Sequence, residues 1–241
     1  MTTQDYASPG YDPEVIGLFD HLDIATTMWW RVLHGVAFFI GGSTFIVGSA
    51  LFFFPSVPNY LFISAVFYIV GSFGFLFVDL QEFFTYRDNS NLLRTNISLS
   101  ATGSLFYVIG SVGFLPSVYD TTAMVGIWGF ILGSAFIFGS QSWKVTRIIR
   151  EDLAETDESG AKRTGFTSLR NCSKTAIGVE ADAGLGALMF LIGTVMYLVN
   201  LEAGSVLVFD IIIWIWILGS IFFTIGSLFL NYRHFLMKLC R

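Results

Sequence analysis

Charge is scarce in this chain: Asp, Glu, Lys and Arg make up 13% of its 241 residues, against 54% hydrophobic residues. With a mean hydropathy of +0.67 there is too little polar surface for a water-soluble exterior, which points to an integral membrane protein. Cysteine is rarer still. Its only copies, Cys172 and Cys240, both fall on the face expected to be cytoplasmic, where thiols stay reduced, so no structural disulfide is expected. The N-terminus lacks a basic region followed by an early apolar run, so no cleavable signal peptide is read there. No nucleophile elbow, phosphate-binding loop or metalloprotease motif occurs, and the expectation is a protein that is not an enzyme and holds no cofactor and no metal.

What is present is long apolar sequence. Uncharged stretches run over 35–78, 95–119, 121–143 and 183–201, and Asp210 interrupts a last one that reaches Tyr232. Breaking the first at Pro55-Ser56-Val57-Pro58-Asn59 leaves six segments, each near the ~20 residues that cross ~30 Å of hydrocarbon. All 13 Lys and Arg then fall on one side. This places both termini in the cytoplasm, with the plasma membrane as the preferred location. The bilayer is the expected partner, together with a second copy or another membrane protein, and nucleic acid is not.

Each segment carries a small residue seven positions before another: Gly41 and Gly48, Ser64 and Gly71, Gly103 and Gly110, Gly126 and Gly133, Gly186 and Gly193, Gly219 and Gly226. That spacing sets small residues two turns apart on one stripe, which is what close helix approach in lipid needs. The hydroxyls of Ser49, Ser72, Ser111, Ser134, Thr194 and Ser220 follow glycines and can bond carbonyls or a neighbouring helix. The alternative, a narrow polar path, is disfavoured by their Phe, Ile and Leu neighbours.

Aligned on these steps, the chain reads as three copies of a helical hairpin. Gly48 and Gly110 are 62 residues apart, Gly110 and Gly193 are 83 apart, and the surplus is the polar stretch 150–179. The expected organisation is an N-terminal segment over 1–28 with a short interfacial helix capped by Asp12, a hairpin over 29–87, and a second over 88–150. A cytoplasmic loop over 151–179 and a third hairpin with its tail over 180–241 follow. The fold class is all-α: a polytopic bundle of six transmembrane helices in three parallel repeats.

The hairpin pattern, with Gly-Ser in each helix, Phe and Leu after it, and an exit such as Gly133-Ser134-Ala135-Phe136 leading to Arg147-Ile148-Ile149-Arg150, resembles the YrhK-like domain family. The resemblance covers roughly residues 29–87, 96–150 and 180–237 and implies repeated two-helix membrane modules. It transfers no catalytic residue.

Ionisable groups are missing from the deep positions. Asp79 and Glu82 end the second crossing, while Arg31 and His34 begin the first. Asp210, with Glu202 and Asp120, would form an acidic outer rim that concentrates cations. The preferred reading of Asp210 is nonetheless a cap on the sixth helix. His34 and His234 lie near one face, but haem ligation by this pair is disfavoured, as is a metal at Asp20, His21 and Asp23. A non-enzymatic scaffold or interaction protein leads, because glycine seams are plentiful and buried charge is absent; a channel or facilitator for a cation or small neutral solute is the alternative.

Overall fold

The computed structural model describes residues 27–86, 90–154, 165–166 and 169–237. The Asp12 cap, the Asp20-His21-Asp23 group and Cys240 lie outside them. Among the described residues the chain is all-helical, without strands. The long helices are α1 (Met28–Ala50), α2 (Tyr60–Thr85), α3 (Asn91–Gly113), α4 (Pro116–Ala154), α5 (Asn171–Ala203) and α6 (Val206–Phe235). Thr27, Ser90 and Ser205 cap α1, α3 and α6, each accepting a bond from a backbone N–H three residues on. A 3-10 turn, Leu51–Phe53, tightens the end of α1 before the first hairpin turn. That turn closes on Asn59 in the left-handed region at φ 56°, and α5 ends on Gly204 at φ 62°.

Five helices are long and apolar enough to cross a membrane by length and composition: α1, with its 3-10 turn, α2, α4, α5 and α6. α3 falls short because its first half carries Arg94, Asn96, Ser98, Ser100, Thr102 and Ser104. It nevertheless packs between α2 and α4 like the others. Each helix packs on its neighbours in sequence, and α6 packs back on α1, so the helices form a closed ring in chain order. Val36, Phe73, Trp128, Ile192 and Trp214 are exposed on its outer surface, an apolar exterior compatible with an integral membrane protein.

Inside the ring, aromatic side chains fill the axis. Phe45 of α1, Tyr107 of α3 and Phe190 of α5 meet one another with ring centroids 5.3 to 6.2 Å apart. Tyr68 and Phe130 pack on them at one end of the ring, and Phe75 and Phe223 at the other. The glycines make room for these rings and for Ile137. A Cβ on Gly41 would stand 2.5 Å from Phe75, on Gly103 2.6 Å from Ile137, and on Gly186 2.9 Å from Phe223. In the opposite sense, Gly71 faces Phe45 at 2.5 Å, Gly133 faces Tyr107 at 2.5 Å, and Gly219 faces Phe190 at 2.9 Å. Gly48, Gly110 and Gly193 meet the Ser64 carbonyl, Phe130 and Trp216, while Gly126 and Gly226 lie against backbone of Gly113 and Val179.

The hydroxyls knit the same layers. Ser49 and Tyr68 share a hydrogen bond of 2.8 Å, Tyr107 and Ser134 one of 2.9 Å, and Ser72 and Ser111 one of 2.9 Å. Ser220 donates to the Trp216 carbonyl at 2.7 Å. Thr194 Oγ1 and Trp216 Nε1 are buried without a hydrogen-bond partner.

Helix α4 continues to Ala154 and α5 already begins at Asn171, so both ends of the stretch read from sequence as a 151–179 loop are helical. The cause is local packing: Ile148, Leu169, Ala176 and Ile177 form a small apolar cluster. Beside it the buried Asp152 accepts bonds from the Arg170 backbone N–H and Nε at 2.9 and 2.7 Å. Cys172 is disulfide-bonded, against the expectation of reduced thiols. That expectation rested on the compartment alone.

Candidate functional site

The end of the ring that carries the basic residues encloses a cavity of about 70 Å3, and its walls hold the charges that the sequence reading placed at helix ends. α1 contributes His34, α2 Asp79 and Glu82, α4 Lys144, α5 Glu180 and α6 Arg233. Asp79, Lys144, Glu180 and His34 are all buried, at 8% exposure or less. The expectation of no buried charge is therefore corrected. Each group lies near the end of its own hydropathic stretch, but α2, α4, α5 and α6 all extend past that stretch and turn these positions inward.

Lys144 is the hub. Its Nζ stands 3.4 Å from Glu82 Oε2 and 3.5 Å from Glu180 Oε2, so one ammonium ties α4 to both α2 and α5. Glu82 uses its other oxygen on His34 Nε2 at 3.4 Å. His34 Nδ1 and His234 Nε2 share a hydrogen bond of 3.0 Å, joining α1 to α6 across the seam where the ring closes. The two histidines considered from sequence as a haem pair thus bind each other. Trp30 stacks on His34 at 4.5 Å and covers this corner. The Trp30 carbonyl accepts from Gln81, and its indole N–H donates to Thr85. Tyr86, just beyond α2, also lines the cavity, and burial, with Glu82 nearby, pushes its phenol up from the ordinary tyrosine range. It stays a neutral donor.

Asp79 is placed differently. It accepts a 2.5 Å hydrogen bond from Ser104, and Lys144 spends its ammonium on the other two carboxylates. Next to it, Gln141 points its Nε2 at Ser100 Oγ across 3.5 Å, while its buried Oε1 has no hydrogen-bond partner. Ser100, Ser104 and Gln141 all line the cavity. Among the described residues no group of three or more His, Cys, Asp or Glu side chains could hold a metal ion.

At the opposite end a second cavity of about 160 Å3 opens between Phe52, Tyr68, Phe114, Tyr119, Tyr197 and Trp216. The hydroxyls of Tyr119 and Tyr197 share a 2.7 Å bond beside it. Of the three acidic residues expected at an outer rim, Asp120 lines this cavity, whereas Glu202 and Asp210 are exposed and do not. The aromatic layers lie between the two cavities.

The sequence carries a signal for these layers beside the glycine spacing. Three residues before the Gly-Ser or Gly-Thr step of every helix stands an aromatic: Phe45, Tyr68, Tyr107, Phe130, Phe190 and Trp216. One turn of separation puts ring and glycine on the same stripe, so each glycine stripe is also an aromatic stripe. The charged chamber had a weaker signal, Asp79 and Glu82 one turn apart, with nothing to say that Lys144 and Glu180 would meet them. No family model, curated protein or solved structure matches the chain.

Proposed function

We propose that the protein is a channel or facilitator that passes a small cation or neutral solute through the interior of its helix ring, with the aromatic layers as a closed gate. The observation that carries this reading is the enclosure of Asp79, Glu82, Lys144, Glu180 and Arg233 around one cavity inside a ring with an apolar exterior. Ionisable groups in such surroundings are costly and mark ion or proton pathways more often than mere support. A cavity at the far side of the gate, bordered by Asp120, fits an entry on that face. Catalysis plays no part in this reading.

A second reading, the non-enzymatic scaffold or interaction protein, draws support from the filled axis. Phe45, Tyr107 and Phe190 leave no open path, as a purely structural bundle would have it. Three further parts of the proposal rest on sequence and contact pattern together. The hairpins α1–α2, α3–α4 and α5–α6 are taken as copies of one YrhK-like module, because glycine and ring contacts recur at corresponding positions in all three. The one-sided basic residues place that face and both termini in the cytoplasm, and the plasma membrane is the preferred bilayer.

Flux through purified protein in liposomes tests the reading. Transport above that of empty liposomes, raised several-fold when Phe45→Ala thins the gate, supports a facilitator. Equal leak for empty, wild-type and Phe45→Ala vesicles, with folded protein in each, would leave the scaffold.

A further inference from the structure

We infer that the chamber at the basic end is a binding site for one monovalent cation, ligated by Asp79, the amide oxygen of Gln141 and the hydroxyls of Ser100 and Ser104. The transport reading gives the ion a purpose, but its binding stands on the chamber alone.

Asp79 is 7% exposed, and its hydrogen-bonding partner Ser104 is neutral. The ammonium of Lys144 lies within ion-pair distance of Glu82 and Glu180, and no such pair joins it to Asp79. A carboxylate taken out of water with no direct ion-pair partner is a costly arrangement in a protein, and a bound cation lowers that cost. Gln141 is an independent pointer. It is also 7% exposed and lines the same cavity, and its buried Oε1 has no donor to satisfy it. An amide oxygen of this kind is a ready cation ligand, and together with Asp79, Ser100 and Ser104 it makes an all-oxygen donor set. Such a set suits a hard cation and gives a soft transition metal nothing to prefer.

Charge decides between one and two positive units. Three carboxylates line the chamber, Asp79, Glu82 and Glu180, against two fixed cations, Lys144 and Arg233. His34 and His234 share a hydrogen bond, which needs a neutral ring as acceptor. The pair therefore adds at most one positive charge, and the wall is short of no more than one. Lys144 further repels a second one. The volume, about 70 Å3, has room for an ion together with several waters.

Equilibrium binding of radiolabelled sodium and of radiolabelled rubidium, in place of potassium, to the purified full chain in detergent tests the site, with choline as the inert salt. Saturable binding of one ion per chain is expected for at least one label. Asp79→Asn should weaken it about tenfold or more, as loss of a charged ligand does. Gln141→Leu should weaken it less, and Asp182→Asn, which does not line the cavity, should leave it unchanged. Excess magnesium should not displace the label. No saturable binding of either ion, or wild-type affinity in folded Asp79→Asn, would overturn the site, and displacement by magnesium would overturn its monovalent character. If Asp79→Asn aggregates, unchanged affinity in Gln141→Leu alone is enough to refute it. Binding without flux in liposomes would sink the transport reading and keep the site; flux without saturable binding would do the reverse.

Discussion

Replacing Lys144 with Met keeps the apolar stem and removes the ammonium that sits between Glu82 and Glu180. The buried Glu180 then loses its Lys144 ion pair while Glu82 keeps only His34, and the expected cost is about 3–5 kcal/mol of stability, read as a lower thermal midpoint in detergent. Adding Glu180→Gln should restore part of it, because one of the stranded charges is gone. A single variant as stable as wild type would show that the carboxylates do not depend on Lys144. The shared bond of Tyr107 and Ser134 is a milder case. A double-mutant cycle of Tyr107→Phe and Ser134→Ala should return a coupling near 0.6 kcal/mol, the usual worth of such a bond between helices in lipid. At this scale the hydroxyls were legible from sequence, since each follows a glycine. The chamber was not, because hydropathy reports depth along one helix, whereas burial of Asp79 and Lys144 depends on which helices stand opposite.

Helices in lipid gain nothing from hiding apolar surface from one another, so their contact depends on how closely their backbones approach. Gly103 shows how little slack there is: a Cβ there would come within 2.9 Å of the Gly133 carbonyl and 2.6 Å of Ile137. Gly103→Leu should therefore separate α3 from α4 and give aggregated protein on size exclusion. Gly139→Leu, on the same pair but with nothing within 4 Å, should behave like wild type, within about 0.5 kcal/mol. Similar profiles for the two variants would refute close approach as the reason for the glycines. The stripe that includes Gly103 was plain in the sequence. The crossing expected over 95–119 was also plain as an element, yet its polar first half left α3 below the apolarity of the other five. The start of α5 was hidden because Asn171 to Lys174 look like loop residues until Leu169 and Ile148 are seen to anchor them.

For the molecule as a whole, the placement of the charged chamber makes sidedness measurable. Single cysteines introduced into a cysteine-free background at Ser56 and at Thr146 lie at opposite ends of the ring. Ser56, in the first hairpin turn, should react with an impermeant maleimide added outside intact cells, and Thr146 only after permeabilisation. The opposite pattern would invert the orientation argued from the 13 basic residues.

The ring follows chain order, so five of its six helix contacts join elements made one after another, and the sixth joins the first to the last. A ribosome adding roughly 5–20 residues per second must therefore hold the structure open until α6 has entered the bilayer. Until then the Gly35 carbonyl has no Asn231 amide to donate to it, and His34 has no His234. The nascent protein spends many seconds as an arc with two raw edges. Those edges can be taken by the chain's own final helix or by that of another molecule under synthesis nearby, and the speed of that last insertion sets which happens.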